Sequence, residues 1–468
     1  MQATEKATPQ LVRELNLGHS VAIVVGTIVG SGIFLAPSVM MRATGSAGRV
    51  YLVWIVGGLL SFFGALTYAE LGAMRPSAGG EYVYVRDAYG PLAGFLYAWT
   101  WFLISKPASI ATITAGLVLV LENFSFFAFL GDPLVSWHLS AGTVFNVTSG
   151  DLVAIGAVIF ITFLNYLGVR KAGNFHLALT VMKVGMIAAI VWFCFSADAG
   201  SWSNFSTRFE GAKGGMAGFM AALVAALWAY DGWNDLNMIS GEIRNPERNI
   251  PYALIFGVAL VALLFMGMNA AIQYTMPAPM IAGAKAPVSA AMQVATGLYG
   301  GFLVSFGMAL SMLVTLNGTI MSGGRIPYAV ARDGYFFKAL AEVHPRFHTP
   351  GLALLVQAVV AILLLLIGGT FRSLLSLAIY AEWLFYMISA SSIFLFRRRE
   401  PDRPRPYKVW GYPVVPGLFV ATAAVLLYYT FTDPENFWNS IAGTFVILLG
   451  IPVFYYFAKK KKLDPGLE

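Results

Sequence analysis

Apolar residues in this chain do not alternate with polar ones at the period of a half-buried strand or a surface helix. They run in nearly unbroken blocks of about 20, the length at which a helix crosses the hydrocarbon of a bilayer. Such blocks lie near 17–40, 47–73, 91–121, 151–169, 175–197, 215–240, 251–275, 299–328, 351–368, 373–396, 413–432 and 438–457. The pattern predicts an all-α membrane protein with twelve transmembrane helices.

Composition removes the soluble alternatives. Of 468 residues, 58% are hydrophobic and 11% charged, with a mean hydropathy of +0.71, against about 45–50% apolar and about 25% charged in soluble domains. There are too few charges to cover several soluble surfaces, so the chain reads as one multi-pass domain. An even number of spans puts both termini on one side of the membrane. That side collects twenty-two of the 30 basic residues, including Arg75, Arg86, Arg325, the run Arg397–Arg399 and the tail Lys459–Lys462. The opposite side holds six (Arg42, Arg49, Arg208, Lys213, Lys285, Arg372), and Lys106 and Lys183 fall inside spans. The positive-inside bias makes both termini cytoplasmic, as expected of a multi-pass protein of the cell membrane.

The basic pI near 9.3 is therefore a topology signal: its charges sit at loop ends, not interleaved with stacking aromatics on one face, which excludes nucleic acid as a partner. The basic runs serve as anchors that also meet anionic lipid heads. Residues 1–16 carry Glu5, Lys6, Arg13 and Glu14 with no cleavable-signal pattern, so the first span is expected to be retained. A single cysteine, Cys194, forms neither a disulfide framework nor a zinc site, and no metal or cofactor is expected.

Two spans carry chemistry that an anchor does not need. The first contains Gly26-Thr27-Ile28-Val29-Gly30-Ser31-Gly32-Ile33-Phe34, with glycines and hydroxyls at mid-span. The sixth contains Trp228-Ala229-Tyr230-Asp231-Gly232-Trp233-Asn234. Both are predicted break points. A break inside the bilayer frees backbone N–H and C=O groups, tolerable only toward a cavity or ligand. The two free ends carry opposite partial charges, which suits a zwitterion such as an α-amino acid. Its carboxylate would meet N–H groups around Ser31, Gly32 and Ile33, and its ammonium carbonyls around Ile28 and Trp228. The competing reading of Gly26 and Gly30 is a small-residue packing face. A second interruption about 200 residues later favours the first reading, because paired breaks in two halves mark a transporter's central site. The chain then divides into a cytoplasmic segment 1–16, five-helix repeats 17–197 and 215–396 of opposite orientation, a basic loop 397–412, two peripheral helices within 413–457, and a tail 458–468.

Several motifs in order resemble the amino acid–polyamine–organocation superfamily, and within it the L-type amino acid transporters and their bacterial relatives. They are Gly30-Ser31-Gly32-Ile33-Phe34, Tyr68-Ala69-Glu70-Leu71, Gly79-Gly80-Glu81-Tyr82, Ala229 through Asn234 with Glu242, Asn245-Pro246 and Arg248, and Leu316-Asn317-Gly318 before Ala331-Arg332-Asp333-Gly334. The resemblance implies a five-plus-five inverted-repeat core of LeuT-like fold, alternating access, and substrate between the first and sixth spans. Carried over, Thr27, Ile28, Gly30, Ser31, Gly32, Ile33, Trp228, Asp231, Asn234 and Glu382 contact substrate, and Trp228 is an aromatic gate. It also implies that Lys183, with a hydroxyl of the eighth span at Thr315, occupies the place of sodium in sodium-coupled cousins. The animal L-type pattern has glycine where this chain has Asp231, and Glu382 is a further departure. The outer loop 123–149 lacks the cysteine that bridges to a heavy subunit in animal relatives, so no such partner is expected.

The intramembrane charges leave alternatives open. Counted from a helix start near 174, Lys183 lies about 13 Å into the bilayer, too deep to snorkel, and it is either the cation of the first-span break or a structural tie among helices. Lys106 precedes Pro107 and is read as capping a carbonyl that the proline frees. Asp231 caps the second half of the sixth span, meets the substrate amine, or pairs with Lys183. Glu382 selects a polar or cationic side chain, carries a proton, or faces a polar seam. Glu70, Glu81, Arg325 and Asp333 are read as gate or loop structure. Asn123, Asn146 and Asn204 head glycosylation sequons.

The chain contains no His-Glu-x-x-His, no Gly-x-Ser-x-Gly, and no Gly-x-Gly-Asp to complement Tyr230-Asp231, which argues against an intramembrane enzyme. A channel would need polar residues along several whole spans. The expectation is a sodium-independent exchanger of neutral L-amino acids, with a proton-coupled amino acid or polyamine permease as the alternative.

Overall fold

A computed structural model describes residues 9–122, 124–139, 143–367, 371–432 and 437–463. Helices occupy each of the predicted ranges within those residues. Eight are long and apolar enough to cross a membrane, and a ninth is added if the bent pair Leu17–Ile28 and Gly32–Thr44 is one span. Gly215–Ala229 and Gly351–Leu366 are shorter apolar helices, and Phe371–Arg399 runs for 29 residues. Residue 368 of the predicted ninth span lies outside the described residues, as do residues 1–8 and 464–468 of the two terminal segments.

The helices begin where side chains can satisfy orphan amides. Asn16 accepts from the His19 amide at 3.0 Å while His19 Nδ1 accepts from the Asn16 amide at 3.3 Å. Thr148 and Asp151 form the same reciprocal box, an arrangement whose loss costs on the order of 1 kcal/mol. Gly45, at φ 79°, ends the first bent pair in a left-handed cap that disfavours other residues.

The structure moves several predicted boundaries. The fourth and fifth helices are Ser149–Tyr166 and Val169–Phe195, separated by Gly168 at φ 129°, so Arg170 and Lys171 belong to the first turn of a helix and not to a loop. Phe371–Arg399 carries Arg397–Arg399 as its last turn. Beyond the sixth break only Asp235–Met238 and a turn at Ser240–Glu242 are helical, so the second half of that span is a short, irregular strut. Residues 14 and 15, expected within a cytoplasmic segment, bond backbone to backbone with Glu242 O at 3.0 Å.

Elements too short or too polar to register in a 20-residue window also appear: a helix Glu81–Tyr89, a hairpin of Pro133–Leu139 and Thr143–Thr148, and helices Ala278–Gly283 and Pro287–Thr296. Of the sequons, Asn123 lies outside the described residues, Asn146 is exposed on the hairpin, and Asn204 donates to Tyr274 O at 2.8 Å.

Around the sixth span, Ala47–Met74 and Pro246–Thr275 build an aromatic wall in which Trp54 meets Phe265 at 5.0 Å and Tyr230 at 5.6 Å. Buried ions cluster at the end of the bundle carrying Arg325. Arg325 makes a two-pronged pair with Glu242 at 2.7 and 2.9 Å, both side chains fully buried. Glu70 accepts from Arg397 at 2.6 Å and from the Val409 amide at 2.7 Å. Asp333 receives Tyr82 at 2.7 Å together with Arg86. This end is closed.

Candidate functional site

The first span breaks where its glycines predict. Helix Leu17–Ile28 stops, Val29–Ser31 is non-helical, and Gly32–Thr44 resumes at 41°. Gly32 sits against the sixth span so closely that a Cβ would lie 2.8 Å from Ala229 Cα. The sixth span opens after Ala229, where Gly232 at φ 106° turns the chain beside Thr27. Both break and packing roles occur in one motif: Gly26 packs tightly against His176 and Thr180, whereas a Cβ at Gly30 would make only ordinary contact with Thr315, at 3.6 Å.

A cavity of about 1420 Å³ lies between the two breaks and extends to Phe124, Phe126, Lys285 and Phe306, away from the ion-paired end. Thr27, Ile28, Gly30, Ser31, Gly32, Trp228, Asp231, Asn234, Thr315 and Glu382 all line it. Ile33 does not: its side chain is fully buried. Lys183 also lies outside the lining, behind the break. Its helix starts five residues earlier than predicted, placing the ammonium about 21 Å along it. There Nζ donates to Gly26 O at 2.9 Å and Val29 O at 2.6 Å. Thr315 reaches Gly26 O at 3.3 Å and Ser311 reaches Val29 O at 2.7 Å. Lysine and two hydroxyls thus hold the carbonyls that the break released.

Asp231 is not a helix cap. The short helix Asp235–Met238 has Asn234 at its N-cap with no side-chain bond, and Asp231 Oδ1 instead accepts from Tyr386 at 2.9 Å. The one Tyr386 hydroxyl proton is shared with Asn234 Oδ1, at 3.0 Å, and Asn234 Nδ2 donates to Glu81 Oε1 at 3.1 Å. Burial pushes Glu81 up to about 7, opposed by hydrogen bonds from Tyr97 and Asn234. A continuous chain of side chains therefore joins the cavity to the helix Glu81–Tyr89, and Glu81 is more than loop structure.

Lys106 differs from its predicted role as well. Pro107 cannot donate to Leu103, and the turn widens: Trp101–Ser105 is π-helical, with the Lys106 amide bonded to Trp101 O. Wide turns of this kind re-aim side chains and are frequent at functional sites. Here Lys106 Nζ reaches Asp235 Oδ1 as a buried ion pair, and Ser105 donates to Glu382 Oε1. Ser311 and Tyr386 were missed in the sequence, although each lies four residues from a residue that was found, Thr315 and Glu382, and so on the same helical face.

A helical membrane bundle with one deep cavity ringed by helix breaks has the architecture of a multi-pass solute transporter. The chain belongs to the amino acid permease family, which it matches over residues 15–454, and with it to the superfamily that the motifs resemble. It is 32% identical to mouse b(0,+)-type amino acid transporter 1 over 97% of this chain and 89% of that protein. It is 31% identical to the Bacillus subtilis serine/threonine exchanger SteT over 96% and 98% of the two chains, and 31% identical to the human cystine/glutamate transporter over 96% and 86%. These relatives are transporters and not enzymes.

Proposed function

We propose that this chain is a secondary active transporter of amino acids working by alternating access, with sodium-independent exchange of neutral L-amino acids as its basic cycle. The observation that carries the reading is the pair of facing breaks at 29–31 and 230–234, with the Lys183 ammonium on Gly26 O and Val29 O. A fixed ammonium supplies the positive charge that a bound cation would bring there, so the break needs no sodium. Substrate carboxylate binds the amides around Ser31, Gly32 and Ile33. The α-ammonium binds second lone pairs of the Ile28, Trp228 and Asp231 carbonyls, and Trp228 closes over it. Charge-assisted bonds of about 1.5–3 kcal/mol each are enough to hold a zwitterion at this depth.

In this reading twelve spans form a five-plus-five inverted repeat of LeuT-like fold, 17–197 against 215–396, with both termini cytoplasmic. The cavity is open to the outside and the Arg325–Glu242 end closed to the cytoplasm. The chain acts without a disulfide-linked heavy subunit, in keeping with its single, buried cysteine. A second reading, a proton-coupled amino acid or polyamine permease, is favoured by one observation: Asp231 and Glu382 both face the cavity.

The purified chain in proteoliposomes is expected to exchange labelled amino acid only when substrate is present on both faces, and equally in sodium and choline. Uptake into empty vesicles driven by an inward proton gradient would support the second reading instead. Ser31→Trp places an indole where the carboxylate binds and is expected to lower substrate affinity at least a hundredfold by equilibrium binding. Intact binding would put the site elsewhere.

A further inference from the structure

Glu81 opens the helix Glu81–Tyr89 and is fully buried. Among the described residues it is in no ion pair: Oε2 accepts from the Tyr97 hydroxyl and Oε1 from Asn234 Nδ2 at 3.1 Å. The ionisable groups around it are Tyr68 of Ala47–Met74, Tyr84 on its own helix, Tyr97 of Pro91–Thr100, Tyr386 of Phe371–Arg399, and Lys106. Lys106, the cation among them, is already paired with Asp235. A carboxylate held only by hydrogen bonds is costly to bury.

What it holds is the sixth break. Residues 230–234 are non-helical, so side chains fix them. The residues before Glu81 clasp the far side of the same stretch. The Gly79 amide donates to Met238 O at 2.9 Å and Ser240 Oγ donates to Ser77 O at 2.8 Å. Gly80, at φ 45°, lies so close that a Cβ would sit 2.5 Å from the Asn237 carbonyl. Residues 77–80 thus fix the strut at 237–240, and Glu81 reaches from that fixed point to Asn234 at the cavity. The Asn234 amide is held at both ends, Nδ2 on Glu81 and Oδ1 on the Tyr386 hydroxyl shared with Asp231. An ionised carboxylate accepts at both oxygens, and its bonds are roughly twice as strong as those of the neutral acid. A proton on either oxygen faces a group that already donates there, and the clasp loosens.

We propose that Glu81 is a positioning residue for substrate binding: through Asn234 its carboxylate sets the turn at 230–234 whose carbonyls receive the α-ammonium. The proposal rests on the amino acid reading above and adds a regulation of that same site. Burial pushes Glu81 up to about 7, so the ionised form prevails above neutrality and is lost as pH falls. Substrate affinity falls with it.

The test is equilibrium binding of tritiated L-serine, L-alanine, L-leucine and L-phenylalanine to the purified full-length protein from pH 5.5 to 8.5. The ligand bound most tightly is expected to bind about fivefold more weakly at pH 6 than at pH 8. Glu81→Gln keeps an oxygen for Asn234 but cannot ionise, and is expected to show the weaker affinity throughout. Tyr97→Phe removes a donor to the carboxylate from outside the cavity lining and is expected to move the midpoint of the wild-type profile to higher pH. A flat wild-type profile, a slope that persists in Glu81→Gln, or a midpoint unmoved in Tyr97→Phe overturns the proposal; the last two assign the titration to Asp231 or Glu382. Should Glu81→Gln fail to fold, Tyr97→Phe decides. If none of the four ligands binds, the amino acid reading fails, and the clasp is tested alone by amide hydrogen exchange across residues 232–240, corrected for intrinsic rates. Faster exchange at pH 6 than at pH 8 then supports it, and equal exchange overturns it.

Discussion

Lys183→Ala is expected to reduce exchange in proteoliposomes at least a hundredfold at saturating substrate. The ammonium lies mid-helix and completely buried, and it makes two charge-assisted bonds to carbonyls freed by the first break, each worth about 1.5–3 kcal/mol. Alanine would leave Ser311 and Thr315 alone on those carbonyls and open a void where the long side chain had been. The broken segment carries Gly30, Ser31 and Gly32 into the cavity, so its loosening disturbs the proposed carboxylate site before it unfolds the bundle. The measurement is initial exchange rate against substrate concentration. Unchanged transport at every concentration would strip Lys183 of its role.

Arg325→Met should have the largest effect on stability. It strands Glu242 fully buried without a counter-charge, and breaking one side of such a pair costs about 3–5 kcal/mol. It also removes the Arg325 bond to Met321 O at 2.8 Å. Because Glu242 ends the strut after the sixth break and its carbonyl receives the amides of Glu14 and Leu15, the damage falls on the ion-paired end of the bundle. A thermal melt in detergent is expected to drop by several degrees, and Arg325→Met combined with Glu242→Gln to recover part of it. A melt equal to wild type would place the two side chains in water.

What could be read beforehand divides along physical lines. Long apolar blocks register at the scale of a bilayer, so the spans were legible, and the first break was legible because Gly30, Ser31 and Gly32 interrupt one of those blocks at mid-span and a second interruption follows in the sixth. The helix Glu81–Tyr89 was not, since nine residues of mixed polarity carry no membrane signal. Charges in spans were visible as anomalies, but their partners were not: Lys106 finds Asp235, 129 positions away, a pairing set by how the third and sixth spans cross. Asp231 was expected first as a cap on helical geometry, yet the strut beyond it is too short to need one.

The proline after Lys106 has a consequence for the whole third span. The surplus residue in the wide turn advances everything after it by about 100° around the axis, so the two ends of this rod present faces set in different registers. Exchanging Pro107 for alanine would return an amide donor and allow the ladder to close at its usual spacing. The tighter coil would swing Lys106 away from Asp235 and unseat Ser105 from Glu382. A single missing amide hydrogen thus decides which way Ser105 and Lys106 point.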